Sequence, residues 1–357
     1  MTTTPPAPTA SPARAVDLLH EMLAIPSPSG QEERLAGFLQ AAMRELGFDA
    51  RRDEVGNVIG DIGQCAGADA PAVMLLSHMD TVDLPLPVRR DTSRLYGRGA
   101  VDAKSCLAAM ICAAANSRRF PGTLRVVGAV EEEWLSRGGH HLVRTLPAPD
   151  VLIIGEPSGW STVVLGYKGK LDLEYRVRRD STHPTAPTEK AAEAASAFWH
   201  DLLELLGPGC GHLSFDRPAA TLRAMAGDML EAQLAVDCRL PPGFDLDAFL
   251  GALRARARGG ELTVVRCVRA VRVARSNPAV RCLSAAIRRH GAAPRHKLKT
   301  GTSDMNTVAE QWRVPMAAYG PGDSALDHGE DEHIGIDEYL RAIAVLTAAL
   351  DELAPRP

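Results

Sequence analysis

The sequence predicts an α/β protein whose main domain has a mixed, mostly parallel sheet and carries an inserted α+β domain. Three observations predict this: short apolar runs that end in polar residues, helical patterns between them, and a central segment of alternating polarity. Short apolar runs are typical of buried parallel strands, and strands that alternate with helices are typical of α/β domains. At 357 residues the chain is long enough for two domains.

The first part of the main domain is predicted over residues 13–166. Apolar residues at helical spacing predict helices, and apolar runs bounded by polar residues predict buried strands. The helices cover 15–26, 32–46 and 104–115, and the strands cover 73–82, 123–134 and 151–157. Open sheets of this kind bind ligands beyond the carboxyl ends of their strands, so the residues that follow these runs are candidates for a functional site.

The inserted domain is predicted over residues 167–276. Its strands cover 170–179, 231–240 and 262–273, and its helices cover 189–206 and the residues after Asp245. Helical spacing resumes over 278–290 and a strand is predicted over 314–320, so residues 277–357 complete the main domain.

The composition indicates a compact protein without a general affinity for nucleic acid or membrane. Hydrophobic residues make up 45% of the chain, and the formal net charge is -4. The seven cysteines are scattered without a Cys-x-x-Cys pair, which is typical of reduced thiols. Residues 1–12 lack the features of a secretory signal, and no apolar run reaches about 18 residues. We therefore expect a cytoplasmic protein with a flexible tail over residues 1–12.

A histidine and an aspartate end the first predicted strand. Alternation along a strand points His78 and Asp80 to the same side. A metal-ligating imidazole usually needs a second group that fixes its tautomer, and Asp80 is placed to supply it. The alternative is a strand-end histidine that merely precedes a helix cap.

Carboxylates follow the other predicted strands and one glycine-rich loop. Asp102 lies at a loop-to-helix junction, where it serves either as a helix N-cap or as a carboxylate that bridges two cations. Three adjacent acids, residues 131–133, end one apolar run, and Glu156 ends the next. Adjacent acids at a buried edge repel each other and are costly to desolvate unless cations are present, whereas a charge run on the surface is simply solvated.

A second histidine, His328, lies in an acidic loop near the C-terminus, where a lone histidine is more often a solvated residue. Together the candidates offer the nitrogen and oxygen ligands that suit Zn²⁺ and similar ions. Two such ions polarise a carbonyl and generate hydroxide from water. The candidate ligands are His78, Asp102, Glu133, Glu156 and His328.

Five motifs resemble, in order, those of the dinuclear zinc aminoacylase and carboxypeptidase G family, which includes acetylornithine and succinyl-diaminopimelate deacylases. The motifs are HMDTV, YGRGAVDAK, VEEEWLSRG, GEP and LDHGEDEH. The resemblance implies a zinc-peptidase-like catalytic domain, an inserted lid or dimerisation domain, and a homodimer. It also implies two Zn²⁺ ions, for which Co²⁺ is a possible substitute.

The same resemblance implies a role for each candidate ligand. His78 and Glu156 would hold one ion, Glu133 and His328 the other, and Asp102 would bridge them. Glu132 would be the general base, a free carboxylate that takes the proton of the attacking water and passes it to the leaving amine. The catalytic set is Glu132, Asp80 and His183.

Positions in the insert and after it match substrate-contacting positions of the family. His183 would reach the active site of a dimer partner and stabilise the oxyanion, the alternative being a solvated loop histidine. Arg239 would grip a substrate carboxylate, the alternative being a strand-end surface arginine. The turn Gly301, Thr302, Ser303 would bind substrate, the alternative being an ordinary helix cap. One departure is Ser105, where relatives often carry glycine, and we expect little loss from it.

Two longer stretches, 156–177 and 299–334, are similar to the LysW-lysine and LysW-ornithine hydrolases. These enzymes of lysine and arginine biosynthesis free an amino acid from the terminal glutamate of a small acidic amino-group carrier protein. Basic residues clustered over 254–299 would steer such a partner, unless they only form solvated faces. Three alternatives are a deacylase of small acyl amino acids such as acetylornithine, an aminopeptidase, and a catalytically silent carrier-binding protein.

Overall fold

The structure is a computed structural model that describes residues 9–63, 70–118 and 120–354. Cys65 and residues 1–8 of the predicted tail lie outside the described residues. The first helix begins at Pro12, the last residue of that tail, and the side chain of Ser11 caps it by accepting the N–H of Arg14. Among the residues that the structure describes, no helix is long and apolar enough to cross a bilayer.

The helices of the described chain follow in sequence order. They are α1 Pro12–Leu23, α2 Glu33–Glu45, α3 Lys104–Asn116, α4 Arg137–Thr145, α5 Ala191–Leu206, α6 Leu246–Ala255, α7 Pro278–Arg289, α8 Asp304–Ala309 and α9 Ile336–Leu353.

The strands are numbered in the same way. They are β1 Asp49–Arg52, β2 Val58–Gly63, β3 Ala72–His78, β4 Arg89–Arg90, β5 Arg94–Tyr96, β6 Thr123–Ala129, β7 Val151–Gly155, β8 Thr162–Tyr167, β9 Gly169–Arg178, β10 Ala219–Gly227, β11 Glu231–Leu240, β12 Glu261–Val268, β13 Val271–Arg272, β14 Arg295–Lys299, β15 Met316–Ala318 and β16 His333–Gly335.

The chain folds into two compact units. The first comprises the described residues up to 165 together with 273–297 and 303–354, and the second comprises 166–272 and 298–302. In the first unit a mixed sheet runs in the order β1-β2-β6-β3-β7-β15-β8. Strands β6, β3, β7 and β15 are parallel, whereas β2 and β8 flank them antiparallel. The predicted α/β class with a mixed, mostly parallel sheet is confirmed.

The register of the parallel strands places their carboxyl ends at one edge. His78 at the end of β3 pairs with Ala129 at the end of β6, and Ser77 pairs with Gly155 at the end of β7. The residues that follow these pairs therefore emerge side by side, which is where ligands bind in open α/β sheets.

Helix α3 lies in the interior of the first unit. Its residues from Lys104 to Ala115 are all buried, and it contacts α1 and α9. A helix that is apolar all round belongs inside a core, and its alanines let neighbouring helices approach closely. Its buried N-terminus begins two residues after Asp102.

The second unit is an α+β structure with its own core. Its antiparallel sheet has the order β10-β11-β9-β12, and α5 and α6 pack against it. Alternation along β9 buries Leu171, Leu173 and Tyr175 on the helix side. Tyr175 stacks on Phe198 of α5 with ring centroids 3.9 Å apart, a contact that ties the sheet to its helix layer.

Candidate metal centre

Three parallel strands deliver the candidate residues to one edge of the sheet. His78 is the last residue of β3, and Glu156 directly follows β7. The predicted strand 123–134 ends earlier than expected, because β6 stops at Ala129 and residues 131–133 lie in the turn beyond it. The backbone of Glu131 is in the left-handed region at φ 57°.

His78, Glu133 and His328 lie close to Asp102. Ligand atoms of His78, Asp102 and Glu133 all lie within 4.8 Å of one another. Oδ1 of Asp102 lies 3.2 Å from Nε2 of His78, and Oδ2 lies 3.3 Å from Nε2 of His328. The same nitrogen of His328 lies 2.8 Å from Oε1 of Glu133. Asp102 thus turns one oxygen toward each histidine, the arrangement that a bridging carboxylate requires.

Asp80 contacts the ring of His78 at Nδ1. Its Nδ1 lies 3.0 Å from the backbone oxygen of Asp80 and 3.5 Å from Oδ1 of the same residue. Both side chains are buried. An Nδ1–H that donates to these oxygens leaves Nε2 without a proton and directed at Asp102, which is the tautomer that a metal ligand needs.

The backbone of the turn after β6 is hydrogen-bonded to side-chain acceptors. Four consecutive backbone N–H groups donate to side chains from distant parts of the chain, and this fixes a turn that contains a left-handed residue. The acceptors are Asn57 for Val130, Glu32 for Glu131, and the two oxygens of Asp80 for Glu132 and Glu133, at 3.0–3.1 Å.

The carboxylates raise the proton affinity of the histidines. Burial alone would lower the pKa of His78, but its hydrogen bonds to Asp102 and Asp80 raise that pKa well above the usual value. Hydrogen bonds to Asp102 and Glu133 raise the pKa of His328 to about 10. A cation bound by these imidazoles would therefore compete with protons.

The pKa of Glu132 is also raised, but by a different cause. Burial raises its pKa well above the usual value, and the negative charges of Glu156, Asp304 and Glu133 raise it further against the opposing effect of His78. Carboxylates crowded this closely are the oxygen donors that divalent cations bind, and the imidazoles add the nitrogen donors that suit zinc. The donor set fits the expected metal centre.

The remaining predicted site residues are divided between the two units. Ser303 is buried in the first unit, where its hydroxyl accepts the N–H of Met305 and caps α8, the alternative that the sequence left open. His183 and Gly301 are exposed in the second unit. In that unit Arg239 donates to Oγ1 of Thr302 at 2.9 Å.

Arg239 is braced by a neighbouring acid. Its Nε lies 2.8 Å from Oδ1 of Asp237, and Asp237 also lies 3.6 Å from Nζ of Lys170. The guanidinium is therefore held in one orientation on the sheet of the second unit. Ser105 is buried at the start of α3, and its hydroxyl donates to the backbone oxygen of Val101 at 3.4 Å.

Several of the arginines expected to steer an acidic partner are already paired. Arg256 binds Glu204 at 3.3 Å, and Arg272 binds Asp216 at 3.1 Å. Arg258 lies between Glu189 and Asp201. Their charge is largely compensated within the second unit, so the steering argument from the sequence is weaker for these residues.

The sequence did not reveal the buried residues that hold the ligand loops. Glu332 accepts the N–H groups of Val101 and Asp102 and pairs with Arg98. Glu32 and Asn57 support the turn after β6. Glu332 lies only four residues after His328, but the acids of that loop look alike in the sequence, so no signal marks the one that is buried.

Comparisons with known proteins agree with this geometry. Residues 74–352 match Peptidase family M20/M25/M40. A LysW-lysine hydrolase of Deinococcus radiodurans is 41% identical over 98% of this chain and 99% of its own length. A Thermococcus kodakarensis protein, provisionally named a LysW-lysine/LysW-ornithine hydrolase, is 37% identical over 95% of this chain and 92% of its own.

Solved structures share the fold. The aminopeptidase PepT of Bacillus cereus superposes with a TM-score of 0.78 at 17% identity, covering 97% of this chain and 99% of its own. The M20 family metallo-carboxypeptidase Sso-CP2 of Sulfolobus solfataricus superposes with a TM-score of 0.74 at 19% identity, covering 94% of this chain and 98% of its own. At these identities the likeness concerns the fold alone.

Proposed function

The chain belongs to Peptidase family M20/M25/M40, and from this premise we propose that it is a metal-dependent hydrolase that releases an amino acid from a LysW-like amino-group carrier protein. The bond cut is the amide to the C-terminal glutamate of the carrier, and the product is lysine, ornithine or a related amino acid. Relatives of nearly equal length carry names for this reaction, which supports the substrate class.

One observation carries the reaction type: the two oxygens of Asp102 face two different histidines beside Glu133. In the proposal His78 and Glu156 would hold one divalent ion, Glu133 and His328 would hold the other, and Asp102 would contribute to both. Zinc suits these nitrogen and oxygen donors, and cobalt is a substitute. When bound, the ions supply Lewis acidity toward the scissile carbonyl and the attacking water.

Glu132 carries the proton in the proposed reaction. Its carboxylate takes the proton of the attacking water and then delivers it to the nitrogen of the leaving amino acid. The backbone of Glu132 is fixed by Asp80, which aligns the base with the neighbouring ligand Glu133. A carboxylate whose proton affinity is raised by burial and by neighbouring acids is suited to both steps.

Residues expected to contact the substrate complete the proposal. Arg239, held by Asp237 and Thr302, binds the carboxylate of the amino acid to be released. His183, supplied by a dimer partner, stabilises the oxyanion, and Gly301 and Ser303 belong to the substrate loop. The proposal therefore includes a homodimer.

We place the reaction in the cytoplasm. No disulfide joins the cysteines within the described ranges, and Cys106, Cys112, Cys238 and Cys282 are buried. Reduced buried thiols are usual in cytoplasmic enzymes.

Mass spectrometry tests the proposal. Zinc-loaded protein is incubated with carrier protein bearing lysine or ornithine on its terminal glutamate, and Glu132→Gln serves as the control. Wild type should remove the amino acid and the variant should not. An adduct that stays intact while acetylornithine or succinyl-diaminopimelate is cleaved would overturn the carrier substrate in favour of a small-molecule deacylase. Metal binding without turnover on any substrate would favour a carrier-binding protein.

A further inference from the structure

A buried ion pair joins the two loops that carry Asp102 and His328. Nη1 of Arg98 lies 2.6 Å from Oε2 of Glu332, and the exposed fractions of the two side chains are 9% and 0%. A buried pair is costly to desolvate unless its other donors and acceptors are also satisfied. The backbone of the two loops supplies partners for both side chains.

Glu332 holds the backbone of the candidate bridging ligand. Its Oε1 accepts the N–H of Val101 at 2.9 Å and the N–H of Asp102 at 3.1 Å. Two hydrogen bonds to one charged oxygen fix the plane of the peptide from which the Asp102 side chain projects. The backbone oxygen of Glu332 also accepts the N–H of Gly97, at the start of the same loop.

Arg98 holds the other loop. Its Nη2 donates to the backbone oxygen of Gly329 at 3.1 Å, one residue after His328. Its Nε donates to the backbone oxygen of Leu84 at 2.7 Å, which anchors the guanidinium to a third segment. His328 itself has φ 60°, a strained value for this residue type that persists only where neighbours impose it.

We propose that Arg98 and Glu332 are positioning residues that set the separation of Asp102 and His328. Through this separation they control the affinity of the metal position that those two ligands share with Glu133. The inference rests on the proposed metal centre but on no particular substrate. The other metal position depends less on the pair, because His78 is fixed by β3 and by Asp80.

Metal titration followed by visible absorption tests this role. Co²⁺ is added to metal-free wild type, Glu332→Gln and Arg98→Lys, and both the ions bound and the absorption bands of each ion are recorded. The glutamine of the first variant would turn an amide donor toward Arg98, and the lysine of the second cannot reach Glu332, Gly329 and Leu84 together. Both variants should bind the ion at the His328 position about 10–100-fold more weakly, with altered bands, and should lose clearly less affinity at the His78 position.

Asp61→Asn is the matched control. It breaks the ion pair of Asp61 with Arg125, also 2.6 Å long, which joins β2 and β6 away from the ligand loops. This variant should bind both ions like wild type even if its melting temperature falls. If Glu332→Gln does not fold, the double variant Arg98→Met, Glu332→Gln removes both charges and should show the same selective loss.

Two results would overturn the positioning role. One is wild-type affinity for both ions in folded Glu332→Gln and Arg98→Lys. The other is an equal weakening of both ions, which a general loss of stability would also cause. Amino-acid release by wild type is measured separately, so the proposed function stands or falls independently of these titrations.

Discussion

The carboxylate of Asp80 accepts the backbone N–H of Glu132 at 3.0 Å, across 52 positions of sequence. Its second oxygen accepts the N–H of Glu133 at 3.1 Å and the hydroxyl of Ser29 at 2.7 Å. One buried carboxylate therefore aligns the proposed base, the adjacent candidate ligand Glu133 and the ring of His78. The site is organised by this acid as much as by the ligands themselves.

Replacing Glu132 with glutamine should strongly reduce turnover while metal binding persists. The amide cannot accept the proton of the attacking water, so kcat should fall by about 10²–10⁴-fold. The rate of amino-acid release and the number of bound ions are measured together. Glu54→Gln, whose side chain is 76% exposed, is the matched control and should retain wild-type turnover. Equal activity in Glu132→Gln would show that another group is the base.

Replacing Asp80 with asparagine should weaken both metal binding and turnover. The introduced amide places a donor where acceptors are needed by Ser29, Glu132 and Glu133, and it loosens the ring of His78. The expected loss in metal affinity is about 10–100-fold, measured by competition with a chelating dye. Ser29→Ala removes one donor only and should have a smaller effect. A variant with unchanged affinity would contradict the orienting role.

Metal affinity should rise with pH. The pKa of His328 is raised to about 10 by Asp102 and Glu133 in the metal-free protein, so binding below that pH displaces a proton. Each displaced proton contributes up to about a tenfold gain in affinity per pH unit. Titrations at pH 6, 7 and 8 measure this slope. His328→Ala should flatten it, and a pH-independent affinity in wild type would refute the linkage.

The contribution of the same histidine to the stability of the metal-free fold should fall as the pH rises. A pKa that is raised in the folded state contributes stability that is fully present below the unfolded value of about 6.5. That contribution is lost as the pH rises toward about 10. Melting temperatures of metal-free wild type and His328→Ala should therefore converge between these values. A difference that widens with pH would mean that the histidine is not held by Asp102 and Glu133.

Arg239→Lys should raise KM more than it lowers kcat. Lysine keeps the positive charge but loses the fork that Asp237 and Thr302 orient, so a bidentate grip on a carboxylate is lost. The expected rise in KM is about tenfold, the equivalent of one charge-assisted hydrogen bond. Arg223→Lys, on the neighbouring strand and 57% exposed, should leave KM unchanged. An unaltered KM for Arg239→Lys would remove this residue from substrate binding.

The parallel centre of the sheet was predictable from the sequence, because β3, β6 and β7 are short apolar runs, which are typical of buried strands. The strands β1 and β14 were missed, since DARR and RHKLK are polar and gain their strand form from pairing at the sheet. No element was predicted over α9, although its apolar residues stand at helical spacing against the core.

The family and the cluster around Asp102 were likewise within reach, because ordered motifs mark residues that carry chemistry. The resemblance to a known family is confirmed, because residues 74–352 match Peptidase family M20/M25/M40. The supporting residues Arg98 and Glu332 could not be predicted from the sequence. They lie 234 positions apart, and only the folded chain shows that both are buried. Local motifs indicate which residue types are candidate ligands. The positions of those residues depend on contacts between distant segments of the chain.

The ratio of kcat/KM for carrier-linked lysine to that for free acetylornithine tests the central claim most directly. Zinc-loaded wild type is assayed on both substrates under one set of conditions, with metal-free protein as the blank. The proposed function predicts that the carrier adduct is preferred by at least about 100-fold, the equivalent of two further charged contacts. Preference for acetylornithine, or equal release by metal-free protein, would contradict it.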